Sequence, residues 1–506
     1  MRKKWFSFRS GVGIVNEFMS SMHKTSVAHS APLRIIIIGG GYTGVAYVIH
    51  LIGHTSRALQ IDIVEPAAVL GRGVAYGTDD PAHRINVPSE RMSLFRDDPG
   101  HATRWLFDHG VLPDAASTDE RGHHYVARKH YGAYVADTLQ STVDAAGDRV
   151  TLQHHRSQAT AIEAGASTRH LVLLATGEAL PADGVVLAFG HAAPVQPCHV
   201  DDGVLICPAL IADPWAVGGF DQIAPSDKVL LIGTGLTMAD VVASLVQRGH
   251  CGPITAISRR GLLPKAHGEF GTIDFLAGSA PPATARGLLR LARQRVAQYR
   301  QRDWHPVLDG LRAQLYLLWP ALSATEQRRV VRRLLPFWEV HRFRIGPQVQ
   351  ATLSQAIAAG QLRVRQAGID SIALGEGHLH CLLRPHGRTT ELESFDRVIF
   401  CTGPEKDIAR NPLIGDLLAR GLVQLDRIGA GLAVDSRSRI LGAHGRVVDG
   451  LFAHGPITRG TFGEMTGAPD IAQHLEQLMR QFDPLEGVDT GADADTDDHA
   501  RRPADV

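Results

Sequence analysis

The fold is decided near the start of the chain by the stretch Arg34-Ile-Ile-Ile-Ile-Gly39-Gly-Gly41-Tyr-Thr-Gly44. The isoleucine run predicts a buried strand, and glycines in the spacing G-x-G-x-x-G predict a tight turn that leads into a helix. A dinucleotide pyrophosphate needs such a turn, because backbone N–H groups and a helix N-terminus must approach it without intervening side chains. We therefore expect a strand over 34–38, a helix over about 42–53 and a strand over 60–64.

An acidic residue, Glu65, follows the second of these predicted strands. A carboxylate at this point can accept hydrogen bonds from an adenosine ribose, and it repels a 2′-phosphate. The motif is strong here because a β-branched run precedes it and the acid follows it. We expect a first dinucleotide to contact Gly39, Gly41, Gly44 and Glu65.

A second turn of the same kind lies in Lys228-Val-Leu-Leu-Ile-Gly233-Thr-Gly235-Leu-Thr-Met238-Ala-Asp240. It predicts a strand over 228–232, a helix over 236–248 and a strand over 254–258, with Met238 in place of the third glycine. Two such turns imply two dinucleotides in one chain, which is the plan of an enzyme that passes electrons from a nicotinamide to a flavin. We expect FAD at the first turn and NADPH or NADH at the second, where Gly233, Gly235 and Thr237 would contact it.

Two arginines, Arg259 and Arg260, end the last of these strands where an acid would favour NADH. Guanidinium groups pair bidentately with phosphate, so this pair favours NADPH through its 2′-phosphate. The alternative is that both are solvated surface arginines.

A sequence pattern that occurs twice in the chain supports two Rossmann-like domains. Residues 158–190 and 367–403 each predict a hairpin, then a hydrophobic strand, then a glycine (Gly190 or Gly403) beside a nucleotide. The stretch at about 280–350 has a helical period and predicts an insertion that covers a substrate cavity or serves as a packing layer. The predicted fold is α/β, with two dinucleotide-binding domains and a helical insertion. The predicted segments are a flexible extension at 1–33, the first part of an FAD domain at 34–225, an NAD(P) domain with the insertion at 226–350, a return to the FAD domain at 351–484, and a disordered tail at 485–506.

The composition excludes several classes of protein. The chain has 506 residues, formal net charge zero and 44% hydrophobic residues, so we expect a globular protein of two or three domains without a nucleic-acid footprint. Its five cysteines form no C-x-x-C motif, which argues against a dithiol redox centre. Two adjacent histidine pairs, 123–124 and 154–155, do not suit one metal, and we expect no metal site.

No targeting segment or membrane span is evident, so we expect a cytoplasmic protein. The sequence does not predict an oligomeric state.

The chain resembles a bacterial group of FAD/NAD(P)-binding monooxygenases that includes a flavin-dependent urate hydroxylase and an aspartate N-monooxygenase. The resemblance covers roughly residues 34–480. Besides the two glycine turns, it is carried by Leu70-Gly-Arg-Gly-Val-Ala-Tyr76, His83-Arg-Ile-Asn86-Val-Pro, Met92-Ser, Asp97-Asp-Pro, Trp338-Glu-Val-His341-Arg342, Gly455-Pro-Ile-Thr-Arg459-Gly460 and Glu464.

The resemblance implies further cofactor contacts. Arg72 and Gly73 lie on the route to the flavin, although Arg72 also suits a solvated turn. Asn86 would contact the reactive edge of the flavin, or would cap a turn before Pro88. Gly455 stands after His454, where many related flavoproteins carry an aspartate instead. A helix that starts near Thr466 or Gly467, with Pro469 in its first turn, would stabilise the reduced flavin or would be an ordinary C-terminal helix.

Three functions compete. The first reading is a urate hydroxylase that makes 5-hydroxyisourate from urate, NAD(P)H and O₂. The second is an N-hydroxylating monooxygenase of an amino acid or amine, and the third is a non-catalytic redox sensor or scaffold. Either substrate is anionic and needs a cationic contact, and histidine titrates in the useful range. The candidates for this contact are Lys265, His267, His341, Arg342 and Arg344. The predicted catalytic set consists of His341 and Lys265 together with Asn86.

Overall fold

The computed structural model describes residues 31–190 and 194–483, together with the side chains of all of these except residue 301. The predicted N-terminal extension, up to residue 30, and the predicted C-terminal tail lie outside the described residues. Within the described part, no helix is long and apolar enough to cross a membrane. No group of His, Cys, Asp or Glu within it could hold a metal ion.

Seventeen strands of the described residues form two large sheets and one small one. The first large sheet has the order β16-β17-β7-β1-β2-β3, the second has the order β14-β13-β12-β11-β10-β15-β9 with β8 beside β12, and the small sheet is β4-β5-β6. In chain order they are β1 (Leu33–Ile38), β2 (Leu59–Val64), β3 (Val150–His155), β4 (Ala159–Ala164), β5 (His170–Leu174), β6 (Ala179–Ala182), β7 (Gly184–Leu187), β8 (His199–Val200), β9 (Leu210–Ile211), β10 (Val229–Ile232), β11 (Ile254–Ser258), β12 (Leu362–Leu374), β13 (Leu379–Pro385), β14 (Glu391–Phe395), β15 (Arg397–Phe400), β16 (Arg439–Leu441) and β17 (Val447–Ala453).

Helices cover both large sheets. The part of the chain that connects β11 to β12 adds a separate helical layer. The α-helices are α1 (Tyr42–His54), α2 (Gly73–Tyr76), α3 (His101–Asp108), α4 (Arg128–Ala146), α5 (Asp202–Leu205), α6 (Leu236–Gln247), α7 (Ala285–Gln298), α8 (His305–Ala313), α9 (Leu315–Leu318), α10 (Ala324–Arg333), α11 (Leu335–Arg342), α12 (Pro347–Ala358), α13 (Pro412–Ala419), α14 (Arg459–Phe462) and α15 (Ala468–Gln481).

The isoleucines of β1 explain why the first sheet forms. Ile35 and Ile37 pack into the core on one face, while Ile36 and Ile38 pack into the core on the other. β1 pairs in parallel with β2 on one side and with β7 on the other, so it is buried on both faces as a central strand of a doubly wound sheet. The first predicted strand–helix–strand unit is thus confirmed to within one residue at each boundary.

The second sheet repeats this arrangement around β10. β10 pairs in parallel with β11 and with β15. This confirms the second predicted unit and the predicted hydrophobic strand after the second hairpin. The structure differs at the predicted domain boundary, because β12 to β15 belong to the second sheet. The chain therefore returns to the first sheet only after Phe400, through β16 and β17, and not at residue 351. The reason is that β15 relates to β10 as β7 relates to β1, so the strand after each hairpin joins the large sheet of its own unit.

The predicted helical insertion corresponds to α7–α11, which enclose a small core of their own. That core includes Phe275, Val307 and Trp319, all buried. The next helix, α12, instead packs on α6 and connects β11 to β12, so it belongs to the second dinucleotide unit.

Candidate functional site

The first glycine turn has no room for a side chain at two of its three glycines, Gly39 and Gly44. Gly39 has φ of +108°, and a Cβ there would lie 2.5 Å from the Ala188 carbonyl oxygen. A Cβ on Gly44 would lie 2.0 Å from the carbonyl oxygen of Gly39, so α1 presses directly on the turn. A Cβ on Gly41 would lie 3.5 Å from the Cα of Gly73. This bare backbone at the start of a buried helix fits a dinucleotide pyrophosphate.

Glu65 has a structural role that the sequence did not reveal. Its carboxylate accepts hydrogen bonds from the N–H groups of Gly40, at 2.9 Å, and Ala67, at 3.0 Å. The acid therefore holds the middle of the glycine turn while it lies at the carboxyl end of β2. This position agrees with the predicted ribose contact, which stays a prediction.

Arg72 precedes α2 and is half-buried beside Gly132. Its Nε is buried and finds no hydrogen-bond partner among the described residues. A buried cationic donor without a partner is costly, so the group calls for an anion in the bound state. This observation favours the pyrophosphate over a solvated turn.

The second turn has the same close contact at its first glycine, and it lacks the third glycine. Gly233 has φ of +125°, and a Cβ there would lie 2.0 Å from the Cys401 carbonyl oxygen. At Gly235 and Gly403, in contrast, a Cβ would meet nothing within 4 Å. Met238, in place of the third glycine, is fully buried in the core of the second unit. At the second turn, the close contact is therefore between Gly233 and the end of β15, whereas Gly235 and Gly403 have open space beside them.

A cleft of about 3750 Å³ runs between the two units and under the helical insertion. Most of the predicted residues at the second turn and on the helices line it: Asn86, Gly233, Gly235, Thr237, Arg259, Arg260, His267, His341, Arg342, Arg344, Gly403 and Thr466. Other predicted residues are not part of its lining: Gly39, Gly41, Gly44, Glu65, Arg72, Gly73, Gly190, Lys265 and Gly455. Lys265 is exposed, and only its backbone hydrogen-bonds to the insertion, through Val340 and Ile345. Its predicted catalytic role stays a prediction.

Both arginines after β11 are exposed and line the cleft. The guanidinium of Arg260 lies 4.9 Å from the ring centroid of Phe337, on the insertion. Neither makes an ion pair with any described residue, so both are available to a phosphate.

Two predicted groups meet near the middle of the cleft. The Nε2 of His267 donates to the carbonyl oxygen of Asn86 at 2.8 Å, which leaves Nδ1 unprotonated. That Nδ1 is buried and has no partner among the described residues. Burial lowers the pKa of His267 to about 4, so the ring is neutral near pH 7 and offers a hydrogen-bond acceptor.

His341 takes a different position. Its Nδ1 donates to the carbonyl oxygen of Phe337 at 2.6 Å, and its ring meets Trp304 edge-on at 4.7 Å. The bond to its own helix and the aromatic contact orient the imidazole at the cleft wall. Its predicted catalytic role is not tested by these contacts.

A cluster of arginines at this end of the cleft includes one residue that the sequence interpretation missed. Arg344 is paired with Asp309 through two hydrogen bonds, and Arg312 and Arg342 both donate to Asp470. Arg91, on the same wall, makes no ion pair or side-chain hydrogen bond with any described residue. Its guanidinium lies 4.7 Å from the ring centroid of Phe270. The feature of the sequence that could have identified Arg91 is its position just after the Asn86-Val-Pro segment.

The C-terminal helix begins as predicted. Gly467 is the N-cap of α15 and Pro469 lies in its first turn. The hydroxyl of Thr466 donates to Glu464 at 2.9 Å, so it supports the loop and does not cap the helix. Gly455 lies against Thr43 at the start of α1, which brings the end of β17 to the first glycine turn. Both segments therefore border the region between the two turns.

Comparisons with known proteins agree with this geometry. Residues 36–192 match a family described as FAD-NAD(P)-binding. The chain is 28% identical over 296 residues to the L-aspartate N-monooxygenase (nitrosuccinate-forming) of Streptomyces davaonensis, an alignment that covers 46% of this chain and 44% of that protein. The chain thus spans less than half the length of this curated relative.

Solved structures share the fold at low sequence identity. The ornithine N-hydroxylase of Kutzneria sp. 744 superposes with a TM-score of 0.61 at 15% identity, covering 89% of this chain and 98% of that chain. The L-lysine 6-monooxygenase of Pseudomonas syringae gives 0.56 at 15% identity, covering 88% and 99%. The predicted α/β fold is thereby confirmed, and the match of residues 36–192 to a family described as FAD-NAD(P)-binding agrees with the predicted resemblance and cofactor pair. The urate reading gains no support, since these three relatives are named for amino acids.

Proposed function

We propose that this protein is an FAD- and NADPH-dependent monooxygenase that hydroxylates the amino nitrogen of an acidic amino acid. The observation that carries the proposal is the unpaired guanidinium of Arg91 in a cleft whose other arginines at that end already have carboxylate partners. When bound, FAD supplies the redox chemistry, with electrons from NADPH and oxygen atoms from O₂. The relatives favour an amino acid over urate, so the second interpretation of the sequence replaces the first.

The charge of the cluster supports an acidic substrate. Arg91, Arg312, Arg342 and Arg344 face three carboxylates, those of Asp309, Glu464 and Asp470. The excess of one positive charge lies on Arg91, whose planar fork matches a carboxylate bidentately. An amino acid with a second carboxylate therefore binds here better than one with a second ammonium group.

The neutral His267 suits the other end of such a substrate. An amino group presents N–H donors, which a neutral hydrogen-bond acceptor can bind and a cationic imidazolium cannot. Nδ1 of His267 is such an acceptor, and Asn86 beside it has both donor and acceptor capacity. In this proposal Arg91 binds a substrate carboxylate, and His267 with Asn86 orients the amino group.

The NADPH assignment rests on Arg259 and Arg260. Both lie at the carboxyl end of β11, where the ribose of a nucleotide bound at the second turn would be recognised. No carboxylate follows this strand to repel a 2′-phosphate.

A substrate screen tests the proposal. Purified, FAD-loaded protein is mixed with NADPH, and oxygen uptake is followed with aspartate, glutamate, ornithine, lysine or urate. We expect aspartate or glutamate to stimulate uptake strongly, and mass spectrometry to show one added oxygen on the amino acid. Stimulation by urate alone would contradict the proposal and restore the urate reading. A protein that is colourless, or that consumes no NADPH with any substrate, would instead support the non-catalytic sensor or scaffold.

A further inference from the structure

A buried ion pair joins the two dinucleotide units. Arg128 is the first residue of α4, which packs with α1 against the first sheet, and Asp240 lies in the first half of α6. The Nη2 of Arg128 donates to Oδ2 of Asp240 at 2.7 Å, and the two side chains are only 11% and 6% exposed. Both charges are thus removed from water at the boundary between the units.

Further contacts surround this pair. Nε of Arg128 donates to the carbonyl oxygen of Arg84 at 2.9 Å, and its guanidinium lies 5.6 Å from the ring centroid of Trp215. One residue earlier, Nε2 of His83 hydrogen-bonds to the hydroxyl of Ser244 on α6 at 2.9 Å. Segment 83–84 of the first unit is therefore attached to two successive turns of α6.

Such a pair is not an efficient way to stabilise a contact. Desolvation raises the pKa of Asp240 even beside Arg128, which shows that burial disfavours the charge it carries. Apolar residues of similar size would hold two surfaces together at least as well. The pair instead fixes the orientation of α6 relative to α4. The planar guanidinium of Arg128 has three fixed contacts, and these define one orientation of Asp240.

The orientation of α6 matters because this helix begins at the second glycine turn. Gly235 is its N-cap, and Asp240 lies little more than one turn further on. A tilt of α6 would displace whatever is bound at Gly233 and Gly235 relative to the first turn. Transfer between two bound groups is sensitive to shifts of about 1 Å.

We propose that Arg128 and Asp240 are positioning residues that fix the NADPH-binding helix relative to the FAD-binding unit, and so set the geometry of electron transfer. The effect on electron transfer rests on the proposed function. The effect on α6 does not, since it depends only on contacts within the chain.

The test uses Asp240→Asn in the full-length, FAD-loaded protein. This variant removes the charge and keeps the shape and an acceptor for Arg128. We expect faster hydrogen–deuterium exchange in 236–247, and a rate of flavin reduction by NADPH that falls roughly ten- to a hundredfold. The dissociation constant for NADP⁺ should change by less than about threefold, because the ligand contacts at the turn are untouched.

The matched control is Asp62→Asn. Asp62 is equally buried and pairs with His155 at 2.8 Å. The two residues lie on two neighbouring strands, β2 and β3, so this pair stays within the first sheet. Asp62→Asn should lower thermal stability without altering exchange in α6 or the reduction rate. A second variant, Arg128→Lys, keeps the charge and loses the fork, and should show a smaller change of the same kind if Asp240→Asn folds poorly.

Each outcome is decisive. Unchanged exchange in α6 in both Asp240→Asn and Arg128→Lys would overturn the proposal, as would equal effects of Asp62→Asn. Altered exchange with an unaltered reduction rate would also overturn it, since the pair would then be merely structural. If the wild-type flavin is not reduced by NADPH at all, the proposed function fails, while altered exchange would still establish that the pair orients α6.

Discussion

The two glycine turns share one plan but differ in how closely they are packed. At the first turn, all three glycines are present, α1 presses on the carbonyl oxygen of Gly39, and Glu65 holds the turn through Gly40. At the second, Met238 replaces the third glycine, Gly235 faces open space, and two exposed arginines follow β11. The comparison shows that the third glycine is required only where the helix presses on the turn, since Met238 is accommodated in the core at the second turn.

The largest effect is expected at Gly44. A Cβ there would lie 2.0 Å from the carbonyl oxygen of Gly39, and backbone cannot move aside cheaply. Gly44→Ala should therefore destabilise the fold by on the order of 3 kcal/mol and reduce the flavin content of the purified protein. Thermal unfolding and the absorbance of bound flavin measure both changes.

The contrasting variant is Gly235→Ala at the second turn, at the position equivalent to Gly41, where a Cβ meets nothing within 4 Å. It should fold with normal flavin content and bind NADP⁺ more weakly, because a methyl group then stands where the pyrophosphate approaches. Equal loss of stability in the two variants would show that the turns are packed alike.

These contrasts show which parts of the fold follow from local sequence. Both strand–turn–helix units are predictable because glycine, β-branched runs and helix starts are local requirements of the backbone. The domain boundary was predicted wrongly at residue 351, since only the pairing of β12 with β11 reveals which sheet a hairpin completes. Glu65 was found for its charge, but its bond to Gly40 is a tertiary contact.

The candidate site was less predictable than the fold. His267 and Asn86 were both selected from sequence, yet their contact joins residues far apart in the chain. Arg91 was missed because it stands out only when Arg312, Arg342 and Arg344 are seen to be paired. Lys265 was selected by residue type and lies outside the cleft lining.

The substrate region lies between the turns and should respond separately from both. Arg91→Ala should raise the KM for an acidic amino acid about 10- to 100-fold, since a charge-assisted hydrogen bond contributes about 1.5–3 kcal/mol. FAD content and NADPH affinity should not change. Arg96→Ala is a suitable control, because Arg96 also lines the cleft but lies outside the paired cluster. An equal effect of both substitutions would reject the assignment of Arg91.

Cofactor choice at the second turn gives a somewhat smaller effect. Replacing Arg259 and Arg260 together by alanine should weaken NADPH binding by about 2 kcal/mol, because the 2′-phosphate loses its ionic partners at an exposed site. NADH binding should be unchanged. Isothermal titration with both nucleotides measures the difference, and equal losses for the two would reject the phosphate contact.

A separate effect concerns acid stability, to which two buried histidines of the first unit contribute. Burial lowers the pKa of His50 to about 4 and that of His454 to about 3. A folded-state pKa below the unfolded value of about 6.5 means that the unfolded chain binds more protons in this window. Stability is therefore complete above about pH 6.5 and falls as the pH drops towards 4, by on the order of 1 kcal/mol per unit for each histidine.

Thermal unfolding between pH 4 and pH 8 checks this prediction. His50→Gln removes one titrating group and should flatten the slope in acid, whereas a substitution of the exposed His199 should not. An unchanged slope in His50→Gln would show that other groups govern acid unfolding.

The central claim is that the two turns hold two dinucleotides that exchange electrons. Anaerobic mixing of the FAD-loaded protein with NADPH tests it most directly, with the flavin absorbance near 450 nm as the signal. The account predicts that the yellow colour is lost with NADPH, more slowly with NADH, and returns when O₂ is admitted. A flavin that binds but keeps its colour with both nucleotides would contradict the account.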